Sequence, residues 1–198
     1  MHIGLLCEGS HDIAPLSILI RRIVEDIFLK REDSLDFSVH TTRGSITPDD
    51  LRAGISKLRI NGSDFLIFVF DTDGDISRKK KIREIIIQLA NVEYCSEKVV
   101  FGFPDSEFEK WLLSDEDAIK RILSLPGSLP LGLDPNKDPK ENLNDLIDDA
   151  LAVGRLTLLE TRTSIYGKIA ASIDLAILEG RQVSFREFSA DLRRKVLC

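Results

Sequence analysis

The sequence predicts an α/β protein in which about four mostly parallel strands are flanked by helices, followed by a C-terminal helical extension. Short apolar runs alternate with segments of helical spacing over the first hundred residues, which is typical of parallel strands joined by helical crossovers. The run FLIFVF at 65–70 is apolar at every position, as expected of a strand covered on both faces. Beyond residue 105 only helical patterns occur. We therefore divide the chain into an α/β core at 1–125 and a helical extension at 126–198.

The first two predicted strands are each followed by a helix. HIGLLC at 2–7 has the composition of a buried strand, and apolar residues then recur with helical spacing over 12–30. DFSVHTT at 36–42 alternates between apolar and polar residues, as a strand does. In TPDD at 47–50, a threonine in the N-cap position and a proline in the first turn open a helix that ends near residue 58.

The third and fourth strands complete the predicted sheet. After the apolar strand at 65–70 comes a helical segment at 77–90, and KVVFGF at 98–103 forms the fourth strand. Strands and helices that alternate at these lengths predict a Rossmann-like core with helices on both faces of the sheet.

The rest of the chain is helical, apart from a linker-like stretch at 126–139 that is rich in proline and glycine. SFRE at 184–187 has the spacing of a capping box, which predicts that the last helix begins there. The predicted helices cover 105–113, 115–125, 139–153, 164–179 and 184–195.

Composition limits the setting in which the protein works. With 198 residues, 43% of them hydrophobic, the chain can bury one sizeable core. It has no apolar run near the roughly 20 residues that a membrane span needs, and acids lie within its first dozen residues, unlike a signal peptide. We expect a cytoplasmic protein with no membrane contact. Its three widely spaced cysteines predict reduced thiols. Because the net charge is -6, we expect any polyanion to be bound by a local basic patch.

Acidic side chains follow three of the predicted strands at the point where each strand ends. Because the carboxyl ends of parallel strands meet at one edge of a sheet, these acids would repel one another unless a divalent cation held them. Mg²⁺ (or Mn²⁺) suits such oxygen ligands. The alternative is that the acids cap helices or form solvated turns. They are Glu8, then Asp71, Asp73 and Asp75, then Asp105, Glu107 and Glu109.

The order of these motifs resembles a known family. Glu8 and Gly9 after the first strand, with Asp71 and Asp73 as a DxD pair after an apolar strand, are similar to the Toprim domain of topoisomerases, primases and overcoming-lysogenization-defect nucleases. More narrowly, the segments CEGSHD, FDTDGD, FPDSEFEKWLLSD and DPKENL resemble the small Toprim-like proteins of bacterial defence loci, often encoded beside an ATPase. The resemblance covers about 1–145 and does not extend to the tail.

This resemblance implies a Mg²⁺-dependent nuclease that acts on DNA or RNA in defence against foreign nucleic acid, with an ATPase as a partner. It gives Glu8 the role of general acid or base and makes Asp71 and Asp73 metal ligands. Glu109 and Asp105 would contribute to a second metal. Asp75 is a further candidate ligand, although it also suits an ordinary turn and helix cap.

Basic residues near the acids are candidates for binding the substrate. Arg78, Lys79 and Lys80 open the RKKKIR run directly after the DxD loop. Arg43 lies in the turn after the second strand. Lys140, at the predicted start of a helix, could also neutralise charge that develops during catalysis. Each of these has a simpler interpretation as part of a solvated surface.

Other interpretations of the motifs remain. DTDGD begins like a calcium-binding loop, but Ile76 occupies the position that requires glycine and Ile82 the position that requires glutamate. It also resembles the start of haloacid-dehalogenase phosphatases, except that Asp75 replaces a hydroxyl residue. No nucleotide-binding loop occurs, so any ATP dependence would come from a partner.

The principal hypothesis is therefore a metal-dependent nuclease. The alternatives are a non-catalytic metal- or nucleic-acid-binding subunit that regulates a partner ATPase, and a small-molecule phosphatase. The apolar positions of the predicted helices at 139–195 leave two possibilities open: they complete a monomeric core, or they form a homodimer.

Overall fold

A computed structural model describes residues 1–28, 36–42, 46–90, 98–127, 130–157 and 159–197. Within these residues, four parallel strands form one sheet in the order β2-β1-β3-β4. The α/β class and the mostly parallel sheet are thereby confirmed. The strands are β1 (His2–Cys7), β2 (Asp36–Thr41), β3 (Phe65–Val69) and β4 (Val99–Gly102).

The helices of the described residues fall into two groups. Three connect the strands: α1 (Ile13–Phe28), α2 (Pro48–Ile60) and α3 (Ile76–Ala90). The others follow β4: α4 (Glu109–Leu112), α5 (Glu116–Ile122), α6 (Pro139–Ala152), α7 (Arg162–Ser172), α8 (Leu175–Arg181) and α9 (Val183–Val196). None of the described helices combines the length and apolar character that crossing a membrane requires.

Strand β3 is apolar throughout because helices cover both faces of the sheet. Phe65, Ile67 and Val69 contribute to one hydrophobic cluster, whereas Leu66 and Phe68 contribute to the other. Alternate side chains of a strand point to opposite faces, so a strand with two covered faces has no solvent-facing position for a polar residue. Helices α2 and α3 supply the second cluster, and α1 packs with the later helices in the first.

The helical extension packs on the face of the sheet that α1 also covers. Leu143, Ile165 and Phe185 belong to the same buried cluster as Leu5 of β1. The Arg22 guanidinium of α1 donates a 2.7 Å hydrogen bond to the carbonyl oxygen of Ala170 in α7. Much of the apolar surface of the extension is therefore buried within this chain, which favours the monomer over the homodimer of the two alternatives.

The helix predicted at 164–179 is wrong, because the structure has two helices there. Helix α7 ends at Ser172, and α8 begins after Asp174, whose carboxylate accepts a 2.7 Å hydrogen bond from the backbone N–H of Ala176. The N–H of Asp174 in turn donates to Asp115 Oδ2 at 2.8 Å. This contact with a residue far away in the sequence fixes the break between the helices.

The start predicted for the last helix is also wrong. Helix α9 begins at Val183, one residue before the predicted serine cap, and no side chain caps it. Instead, the buried Ser184 hydroxyl accepts a 3.0 Å hydrogen bond from Trp111 Nε1. By contrast, the Thr47 cap of α2 is confirmed, since its hydroxyl oxygen accepts from the N–H of Asp50.

Candidate active site at the carboxyl edge of the sheet

The two central strands bring the first pair of predicted site residues together. Strand β1 leads to β2 on one side of the sheet, and β3 leads to β4 on the other, so their adjacent carboxyl ends form the crevice where open α/β sheets bind ligands. Glu8 follows β1 directly and Asp71 lies two residues beyond β3. The Glu8 carboxylate accepts a hydrogen bond from the backbone N–H of Asp71.

Four carboxyl groups, from Glu8, Asp12, Asp71 and Glu109, interact in this crevice, and we call them the carboxylate cluster. Burial raises the pKa of Asp71 to about 8, with further contributions from Asp12, Glu109 and Glu8. Glu109 is only 3% exposed, and burial raises its pKa to about 7. Two of the four groups therefore take up or release protons near neutral pH.

Asp12 belongs to this cluster although the motifs did not predict it. Its carboxylate accepts a 2.9 Å hydrogen bond from the backbone N–H of Gly9, which folds the side chain back over the loop after β1. Burial raises its pKa, and Lys140 and this hydrogen bond oppose the rise. Asp12 belongs to the CEGSHD segment, and being a second acid in that segment was the signal that could have identified it.

Hydrogen bonds between two loops hold Asp71 near Glu109. The Thr72 hydroxyl donates to the carbonyl oxygen of Pro104 at 2.7 Å. The backbone N–H groups of Thr72 and Asp73 donate to the carbonyl oxygen of Ser106 at 3.2 and 3.1 Å. The loop that follows β3 is thus attached to the loop that precedes α4.

The two aspartates of the DxD pair have different environments. Asp71 belongs to the carboxylate cluster, whereas the Asp73 side chain is 57% exposed and forms an ion pair with Arg78. Asp73 has a φ of 50°, in the left-handed region, and this turn carries its side chain to a position unlike that of Asp71. Arg78 also contacts Glu8, with 3.2 Å between Nη2 and Oε1. Arg78 therefore bridges Glu8 and Asp73, and its charge opposes the rise in the pKa of Glu8 that burial causes.

Asp75 and Asp105, which were predicted as further ligands, lie outside the cluster in this structure. Asp75 is exposed, and its carboxylate accepts a 2.7 Å hydrogen bond from the N–H of Ser77 at the start of α3. Hydrogen bonds from the Ser77 side chain and then from this N–H lower the pKa of Asp75. Asp105 is exposed and lies before α4, whose N-cap residue is Phe108. Arg43 lies outside the described residues.

The predicted basic residues of α3 point in different directions. Lys79 lies 3.9 Å from a Glu187 carboxylate oxygen, and its Nζ is 5.7 Å from the centroid of the Phe103 ring. Lys80 is exposed and lies 4.0 Å from Glu84. Only Arg78 of this run is described in contact with a member of the carboxylate cluster.

The helical extension contributes the opposite wall of the site. The Tyr166 hydroxyl of α7 donates a 3.2 Å hydrogen bond to Asn144 Oδ1, and both residues line a small pocket with Glu109 and Lys140. Burial, and then the charge of Glu109, raise the pKa of Tyr166. Lys140 acts in the opposite sense on Glu109, since its positive charge opposes the rise in the pKa of that carboxyl. His11 and Arg162 complete the lining.

Lys140 and Glu109 were predicted from the sequence as site residues, whereas Tyr166, Asn144, His11 and Arg162 were not. The backbone N–H of Lys140 donates a 3.0 Å hydrogen bond to Glu107 Oε2, so the loop after β4 holds the first turn of α6. Asn144 directly follows the DPKENL segment, whereas Tyr166 lies far from any predicted motif, in a helical segment whose pattern does not distinguish it from core residues.

The donor atoms of the cluster fit a hard divalent cation. All of them are carboxylate oxygens, and Asp12, Glu109 and Glu8 each add to the rise in the pKa of Asp71 that burial causes. Among the described residues, no group of three or more histidine, cysteine, aspartate or glutamate side chains already has the geometry of a metal site. Mg²⁺ does not require such a group, because it keeps several waters and uses one or two protein carboxylates.

Comparisons with known proteins add no relative. No protein-family model matches the chain, and no curated protein or solved structure is significantly similar to it. The Toprim resemblance therefore remains a prediction from short motifs, and function is inferred from the site itself.

Proposed function

We propose that this protein is a metal-dependent phosphodiesterase that cleaves nucleic acid. The observation that carries the proposal is the carboxylate cluster, which gathers residues from the ends of β1 and β3 and the starts of α1 and α4 at the ligand-binding edge of the sheet. Buried carboxylates that raise one another's pKa destabilise the fold whenever they are ionised. A site that retains such repulsion favours a ligand of opposite charge.

Asp71 and Glu109 would hold Mg²⁺ or Mn²⁺, and the negative charge of Asp12 would favour the cation. When bound, the cation would neutralise charge on the phosphate oxygens and lower the pKa of a water molecule. The motifs also predict Asp73, Asp75 and Asp105 as ligands. All three side chains are exposed in this structure, so their part in metal binding stays a prediction.

Glu8 would transfer the proton that phosphodiester cleavage requires. Its side chain is 20% exposed and lies beside Asp71, and burial raises its pKa while Arg78 opposes the rise. Arg78 pairs with Glu8 and Asp73, and a phosphate oxygen of the substrate is an alternative partner for the same guanidinium. Lys140, close to Glu109, would stabilise negative charge on the other side of the site.

Cleavage assays on the purified protein test this proposal. The wild type should cut DNA or RNA in the presence of Mg²⁺ or Mn²⁺ and not with EDTA, and Glu8→Gln should lower kcat by about 10²–10⁴. The matched control is Glu84→Gln, the same chemical change at an exposed position of α3, which should leave kcat unchanged. Cleavage that persists in EDTA, or in Glu8→Gln at the wild-type rate, would contradict the proposal.

The biological setting is supported by the motif resemblance alone. On that basis we place the activity in defence against foreign nucleic acid, together with an ATPase encoded nearby. Co-expression with the product of a neighbouring ATPase gene, followed by co-purification and a cleavage assay with and without ATP, tests this part. Hydrolysis of phosphomonoesters but not of diesters would instead favour a small-molecule phosphatase.

A further inference from the structure

A second charged feature lies beside the edge strand β4, away from the carboxylate cluster. It is a groove of about 240 Å³ between α3, β4 and α9, which we call the β4 groove. Four basic side chains and two aromatic rings line it: Lys79, Arg83, Arg194, Lys195, Phe101 and Phe103.

The aromatic rings hold two of these cations in position. Lys79 and Arg83 are four residues apart on α3, so they share one face of the helix. The Arg83 guanidinium carbon lies 5.5 Å from the centroid of the Phe101 ring, and Lys79 covers Phe103 in the same way. The two rings stack with centroids 5.8 Å apart and planes inclined by 6°. Cation–π contacts of this kind pre-order flexible basic side chains and leave their charge available to an anion.

Positive charge exceeds negative charge in the groove. Among the described residues that line it, Glu187 and Asp191 are the acids, against the four basic residues named above. Glu187 is 66% exposed and 3.9 Å from Lys79, so this pair is open to solvent and weak. Lys195 contacts Asp191 at 3.3 Å. A local excess of positive charge, on a chain whose net charge is -6, marks a surface suited to a polyanion.

We infer that the β4 groove binds the phosphodiester backbone of the nucleic acid that the carboxylate cluster cleaves. The inference rests on the proposed function for the identity of the substrate. Arg78 contacts Glu8 of the cluster, and the next residue, Lys79, lines the groove, so the first turn of α3 joins the two features. Cations that contact phosphates bind without reading base sequence, and the groove therefore gives affinity rather than sequence specificity.

Binding of a fluorescein-labelled single-stranded oligonucleotide tests the inference, measured by anisotropy in EDTA over a range of salt concentrations. The variant Lys79→Gln/Arg83→Gln removes two groove cations. We expect its Kd to rise about tenfold or more at low salt, and the slope of log K against log salt to become shallower by about 1.4, the value for two lost phosphate contacts on a single strand.

The matched control is Lys57→Gln/Lys81→Gln. It makes the same change in net charge at two exposed positions of α2 and α3 that do not line the groove. Its Kd should stay within about twofold of the wild type, since charges distant from the bound strand are screened by salt. Equal weakening by the two double variants would overturn the inference, because the effect would then follow net charge rather than the groove.

Two further measurements test whether the loss of binding comes from misfolding and whether the groove binds acidic peptides instead of nucleic acid. Glu187→Gln removes an acid from the groove and should tighten oligonucleotide binding, a gain that misfolding cannot produce. Poly-glutamate should not compete with the oligonucleotide, and competition at equal charge concentration would identify the groove as a site for acidic peptides instead.

Hydrolysis of bis(p-nitrophenyl) phosphate by the wild type separates the inference from the proposed function, because this small diester has no polynucleotide backbone for the groove to bind. If the wild type hydrolyses it and the groove variant still binds the oligonucleotide normally, the groove inference alone fails. If the wild type hydrolyses neither this diester nor nucleic acid, and the groove variant loses binding, the phosphodiesterase proposal alone fails.

Discussion

Replacing Asp71 by asparagine is expected to stabilise the metal-free protein at neutral and alkaline pH and to weaken its response to divalent cations. The folded state raises the pKa of this carboxyl from its ordinary value of 3.8 to about 8. Between these values the folded protein holds a proton that the unfolded chain has lost, so stability falls as pH rises through this range. Asparagine cannot ionise, and its amide oxygen can still accept the hydrogen bond from the N–H of Phe108.

The magnitude follows from the shift in pKa. One group that is protonated only in the folded state lowers the free energy of unfolding by about 1.4 kcal/mol per pH unit. Between pH 5.5 and 7.5 this would reach about 3 kcal/mol, but Asp71 shares the cluster with Glu109, whose pKa is also raised, to about 7. Because such coupled groups take up protons jointly, we expect about 1–3 kcal/mol from the substitution. For a chain of this size, that corresponds to a change in Tm of roughly 2–12 °C.

Thermal melts from pH 5.5 to 8.5, in EDTA and in millimolar Mg²⁺ or Mn²⁺, provide the assay. Wild type should lose stability with rising pH in EDTA and regain it with metal, since a ligand that binds only the folded state stabilises it. Asp73→Asn is the control, because Asp73 is half exposed, lies outside the cluster, and has a left-handed φ that asparagine tolerates. The control should keep the pH dependence of the wild type. If wild-type melts respond neither to pH nor to metal, or if both variants change the pH dependence equally, the electrostatic account of the cluster is refuted.

Three further predictions concern packing and the helical extension. Ser184→Ala should lower the free energy of unfolding by about 1–3 kcal/mol, because it leaves the buried Trp111 N–H without its acceptor, whereas Glu187→Ala should leave Tm nearly unchanged. Equal losses of Tm in thermal melts would show instead that Ser184 and Glu187 act together as a capping box. Tyr166→Phe should raise the Mg²⁺ concentration needed for half-maximal cleavage, because it removes a hydroxyl beside Glu109; an unchanged Mg²⁺ titration would exclude Tyr166 from the site. Light scattering should show a monomer, because much of the apolar surface of the extension is already buried in its own core; a concentration-dependent dimer would contradict this.

The fold class was predictable because it depends on local patterns. The apolar strand β3 indicates a sheet with two covered faces, and Thr47 with Pro48 indicates where α2 begins. The break between α7 and α8 was not predictable, since apolar spacing continues across it. There the structure depends on a hydrogen bond from Asp174 to Asp115, a residue that only the tertiary fold brings near.

The same division applies to the candidate site. Glu8 and Asp71 could be paired from the sequence, because residues that follow adjacent parallel strands lie at one edge of the sheet. The separation of Asp71 from Asp73 depended on the backbone turn between them, and the roles of Asp12 and Tyr166 depended on how a loop and a distant helix close over Glu109. Periodicity and strand ends determine which residues face inward and which edge carries the acids. The packing of segments far apart in the chain decides which of those acids share a low-dielectric environment, and hence which of them interact.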